Sequence, residues 1–69
     1  EGIDVTVLND GGSGNVLVTC YLNQGDKTYD RSKEIWLGEH QSQDVHFTFD
    51  EASVWNGKMS VNATAKATE

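Results

Sequence analysis

The stretch Val5-Thr-Val-Leu-Asn-Asp-Gly-Gly-Ser-Gly-Asn-Val-Leu-Val-Thr-Cys-Tyr-Leu22 decides the fold. Two runs that alternate apolar and polar residues flank a loop of Asn, Asp, Ser and Gly. Successive side chains on a strand point to opposite faces, so such alternation marks a strand with one buried side. Glycine, Asn and Asp supply the backbone conformations and the side-chain-to-backbone hydrogen bonds that a chain reversal needs. The stretch is therefore a strand, a turn and a second strand. Its oily face needs further strands to cover it.

Working outward, the pattern repeats. Ile3, Val5 and Val7 alternate with polar neighbours, and Val16, Val18, Cys20 and Leu22 do the same after the loop. Gln24-Gly25-Asp26 is a second turn signal. Tyr29 and Ile35-Trp36-Leu37 bracket the charged run Asp30-Arg31-Ser32-Lys33-Glu34. That run predicts an edge strand with a bulge or bend, because charge on an edge blocks unwanted pairing. Val45, Phe47 and Phe49 form the next alternating run. Residues 50–55 read as a loop or one helical turn, and Asn56-Gly57 is a strong hairpin-turn signal. Met59, Val61, Ala63 and Ala65 then alternate to near the end.

The reading is all-β: a small antiparallel Ig-like β-sandwich of about five strands, at 3–9, 15–23, 27–37, 43–50 and 58–66. The expected inward set is Ile3, Val5, Val7, Val16, Val18, Cys20, Leu22, Ile35, Leu37, Val45, Phe47, Phe49, Met59, Val61 and Ala63. No segment has a 3.6-residue period. With 69 residues, the chain reads as one domain, 1–69, excised from a larger protein. A core this small rarely supplies more than about 3–5 kcal/mol. The single cysteine cannot form an intramolecular disulfide, so the fold gains no staple from that source.

The net charge is −6, from 11 acidic and 5 basic residues. That balance excludes nucleic acid as the expected partner, since binding it requires a basic footprint. No apolar run is long enough to insert in a membrane.

Chemistry-bearing residues are few. His40 and His46 lack a third ligand at any recognisable spacing, so no metal site is expected. Cys20 sits at an inward position and reads as a small hydrophobe. The Asp10-Gly-Gly-Ser-Gly14 loop superficially suggests a phosphate cradle, but a strand rather than a helix follows it. Asp10, Asp50 and Glu51 are hard oxygen ligands without a calcium-loop pattern. No catalytic residue and no cofactor is assigned, and an enzyme is not expected. Trp36 should point outward beside Leu17 and Tyr21, leaving an apolar patch that marks a partner surface or a sugar-stacking platform. Trp55 adds a second tryptophan. Asn62-Ala-Thr64 is a glycosylation sequon on a solvent-facing position.

Read in order, Val5-x-Val-x-Asn9-x-Gly11-x-x-Gly14-x-Val16-x-Val18 is followed by the Gly25 turn. Then come Ile35-x-Leu37-Gly38, Val45-x-Phe47-x-Phe49 and Gly57-x-Met59-x-Val61-x-Ala63. This order resembles the CARDB-type family, cell-adhesion-related Ig-like domains of prokaryotic surface proteins, and secondly the FxLYD-type modules. The resemblance spans about residues 3–65, with no counterpart of that family's usual first strand. It implies a non-catalytic, extracytoplasmic module acting as spacer, adhesion or protein-binding domain. Protein partners or self-association through edge strands are expected. A small carbohydrate-binding β-sandwich using exposed aromatics is the alternative.

Overall fold

The computed structural model describes residues 2–50 and 59–68. Five strands follow one another: β1 (Gly2–Leu8), β2 (Gly14–Gln24), β3 (Lys27–Leu37), β4 (Ser42–Thr48) and β5 (Met59–Thr68). They form two antiparallel sheets, β1–β4 and β3–β2–β5. The all-β sandwich read from the alternation is thus present, with strand ends shifted by one or two residues. The Asn56-Gly57 turn, Glu51 and Trp55 lie outside the described residues.

The order matches strands B–E in one sheet and C′–C–F in the other of the Ig-like sandwich. In fuller versions a strand A stands beside B and a strand G beside F. Here those two places are the free edges of β1 and β5.

The turn chemistry follows the residues. Gln24 pairs with Lys27 across a two-residue reversal, and Gly25 has φ 61°. This is the first central position of a II′ hairpin turn, which glycine occupies without a Cβ penalty. At the opposite end, Asn9 fastens two connections together. Its Nδ2 donates to the carbonyls of Gly12 at 3.0 Å, Leu37 at 3.2 Å and Gly38 at 3.1 Å, and its Oδ1 accepts from Gly11 N at 3.0 Å. Backbone bonds Asn9 N to Gln41 O and His40 N to Asn9 O, both 2.9 Å, complete the clamp.

Between the sheets lie Val7, Val18, Cys20, Leu22, Leu37, Val45, Phe47 and Phe49, with Ile3, Val5, Val16, Tyr29 and Ile35 packed at the margin. Burial also holds Gln24, whose Nε2 donates to Met59 Sδ at 3.3 Å. Among the described residues, no buried side-chain nitrogen or oxygen lacks a partner.

Two expectations are corrected. First, β3 neither bulges nor bends out of register: it pairs with β2 residue by residue from Lys27 to Leu37. The charged run keeps the strand period, with Tyr29, Arg31, Lys33, Ile35 and Leu37 on the inner face. Arg31 lies 5.2 Å from the Phe49 ring centroid and Lys33 5.5 Å from that of Phe47. The guanidinium and the ammonium themselves lie over the ring faces as cation–π contacts, so no bulge is needed to expel them.

Second, Met59 and Val61 are 42% and 50% exposed rather than core residues. Their parity is inward, but the two-stranded sheet covers β2 and β3 and stops short of β5.

Candidate functional site: an open strand edge

Each sheet has two edges, and the four differ in chemistry. The β3 edge carries Asp30, Arg31, Lys33 and Glu34, the charge that natural sheets use to repel unwanted strands. The β4 edge is capped by Lys33, whose ammonium donates to the His46 carbonyl. Lys33 therefore reaches across this side of the sandwich, from β3 to β4.

Among the described residues, the other side is open. β1 carries one charge, Asp4, and its carboxylate is engaged by His46 Nδ1 at 2.7 Å. β5 carries only Lys66 in ten residues, and no proline. Between the two edges runs a largely apolar trough lined by Val5, Val7, Leu8, Val18, Ala63 and Ala65, with Thr6 and Thr64 among them. Leu8, at 66% exposure, stands at one end, and exposed Val61 and Met59 continue the β5 floor toward the other.

This trough exists because the sheets differ by one strand. The inner face of β5 reads Met59, Val61, Ala63, Ala65, Ala67, opposite Gln24, Leu22, Cys20, Val18 and Val16 of β2. β2 is buried under the second sheet. β5, one strand further out, is not. An apolar floor beside two strand edges that lack blocking charge is suited to an extended polypeptide: main-chain groups pair with the edge while alternate side chains enter the trough.

The residues singled out from the sequence lie elsewhere, on the outer face of the three-stranded sheet. Trp36 is 60% exposed, whereas Leu17 and Tyr21 are half-buried. Trp36 pairs with Asn15, one cross-strand step from the Leu17–Glu34 pair, but Tyr21 pairs with Asp30, three steps away. Trp36 and Tyr21 are therefore roughly 20 Å apart along the strands. The Thr19–Ser32 hydroxyl contact at 2.9 Å lies between them. Trp36 and Leu17 adjoin; the three do not make one patch. Asn62 is exposed and faces Tyr21 on this outer surface.

His40 and His46 are not brought together. His40 sits in the β3–β4 connection at φ 62°, 3.9 Å from the carboxylate of Glu39. His46 is a cross-strand partner of Asp4. Cys20 is fully buried, and burial pushes its thiol pKa up, which disfavours the reactive thiolate. Among the described residues, no cluster of three or more His, Cys, Asp or Glu is placed to hold a metal ion, and no helix is long and apolar enough to cross a membrane.

Sequence reasoning missed the trough because β5's alternation was taken as burial. A signal was available in the shrinkage of its inner residues to alanine and in its lack of carboxylates. No protein-family model, no curated protein and no solved structure matches this chain.

Proposed function

We propose that this chain is a non-catalytic Ig-like module of a secreted or cell-surface protein, and that it binds protein by strand addition at its open side. One observation carries the reading. The guarded edges, β3 and β4, lie on one side, and the two edges without blocking charge flank a single apolar trough on the other. A domain with no use for that side would be expected to guard it as it guards β3.

The extracytoplasmic assignment and the adhesion or spacer role follow from the motif order of residues 3–65, which resembles CARDB-type domains. Among the described residues, a sugar-stacking reading rests on Trp36, because Tyr21 stands too far along the sheet to share a ligand ring with it. The strand-edge reading is therefore preferred.

Hydrogen exchange on the dilute monomer tests it. Among the described strands, amides on the free edges of β1 and β5 should exchange fastest, while those of β2, paired on both sides, exchange slowest. Uniform protection of both free edges in a solitary monomer would refute the proposal.

A further inference from the structure

The β5 edge is complementary to itself. We infer that the strand added at the open side is β5 of a second copy, paired antiparallel about a two-fold axis through Ala63. The inference rests on the strand-addition reading and names its partner.

Three observations on β5 carry it. The first is charge. β1 carries Asp4, β3 carries Asp30 and Glu34, and β4 carries Asp44, so β5 is the one outer strand without a carboxylate. Two copies at −6 each repel least when they meet through this strand.

The second is size. Along β5 the inward residues fall from Met59 and Val61 to Ala63, Ala65 and Ala67. Antiparallel pairing centred on Ala63 sets Met59 of one copy against Ala67 of the other and Val61 against Ala65. Large residues then oppose small ones on either side of the axis, where Ala63 meets its own copy. A two-fold interface requires this kind of self-complementarity.

The third is the polar face. The same register sets Lys66 opposite Ser60 and Asn62 opposite Thr64, so no like charges face each other. Inward side chains stay inward in both copies, because residues of the same parity are paired.

The result is a continuous sheet in the order β3–β2–β5–β5–β2–β3, with each β5 in the place that strand G holds in a fuller Ig-like sandwich. The exposed Met59 and Val61 of each copy gain neighbours across the axis. A ten-residue edge makes a small interface, so the dimer should be weak and concentration-dependent.

Sedimentation velocity between about 10 µM and about 1 mM brackets such an interface. The wild-type chain should pass from monomer to dimer within it. Val61→Lys, at a half-exposed position, should raise the dissociation constant at least tenfold while the far-UV circular dichroism stays unchanged. If Val61→Lys fails to fold, disulfide trapping decides instead. In a Cys20→Val background, which removes the thiol lying directly opposite position 63 on β2, Ala63→Cys should form a covalent dimer under mild oxidation, since only a residue on the axis meets its own copy. Lys66→Cys and the wild type, with buried Cys20, should not.

A wild-type chain that remains monomeric throughout overturns the second-copy assignment. So does a dimer that survives Val61→Lys, or trapping at position 66 in preference to 63. The two proposals fail separately. A persistent monomer with fast-exchanging β5 amides leaves strand addition standing and removes only the self-partner. A persistent monomer with protected β5 amides removes both.

Discussion

Replacing Asn9 with Ala should nearly unfold the domain, although the residue lies outside the hydrophobic core. Its amide nitrogen spreads two protons over three carbonyls, those of Gly12, Leu37 and Gly38, and its oxygen holds the Gly11 amide. Leu37 and Gly38 are buried, so their carbonyls lose partners that water replaces poorly. Three net hydrogen bonds at about 1 kcal/mol each give a loss of about 2–3 kcal/mol. Against a total of about 3–5 kcal/mol for a core of this size, that is more than half. The melting temperature should fall by about 10–20 °C, and urea midpoints should move with the slope unchanged. Asn9→Asp is the sharper variant. It keeps the shape and the Gly11 contact but presents a carboxylate to three carbonyl oxygens, so it should be at least as unstable near pH 7. Those carbonyls favour the protonated acid in the folded state, so its folded pKa is raised, and the deficit relative to wild type should shrink as the pH falls through that raised value toward about 4 and level off below it. A loss under about 0.5 kcal/mol for Asn9→Ala would refute the reasoning, because the two connections would then be held by their backbone bonds alone.

Substitutions at two further positions separate strain from burial. His40→Gly should match the wild type or exceed it by up to about 1 kcal/mol in urea denaturation, because φ 62° costs an ordinary residue roughly that much. His40→Val, β-branched at the same φ, should lose stability. For Cys20, burial raises the folded pKa, so the stability of the neutral thiol is fully present below the unfolded value of about 8.5 and is lost as pH rises through the folded value. The difference in stability between wild type and Cys20→Val should therefore change above about pH 8.5 and be flat below it. A difference that stays flat through alkaline pH would contradict it.

How much of this was legible in the residues differs strand by strand. The alternation in Val16, Val18, Cys20 and Leu22 identified the central strand because both sides of β2 are paired and its inner face is covered. There, period and burial coincide. Asn9 was legible as a turn residue from its glycine neighbours, but its reach to Leu37 and Gly38 was not, because turn chemistry is local and those carbonyls are 28 and 29 residues away. The charged run in β3 misled in a different manner. Charge was read as a break in the strand, whereas Arg31 and Lys33 keep the strand period and set their charged groups over the rings of Phe49 and Phe47.

The open side follows from the same distinction. Parity fixes which residues of a strand share a face, but it is silent on whether the opposing sheet is wide enough to reach that face. Met59, Val61, Ala63, Ala65 and Ala67 share one face by parity, and β1–β4 ends before it covers them. Composition carries the missing information. The strands that face each other across the core present Val, Leu, Ile and Phe inward, volumes that need a packed neighbour to justify their cost in solution. β5 presents mostly alanine, which loses little when exposed. Its two larger residues, Met59 and Val61, stand at the end where an antiparallel partner would bring alanines. In a chain that places eleven acidic residues elsewhere and none on this strand, the taper and the missing charge coincide on one edge. Solubility alone would favour the opposite arrangement there. Self-pairing accounts for both features through one register.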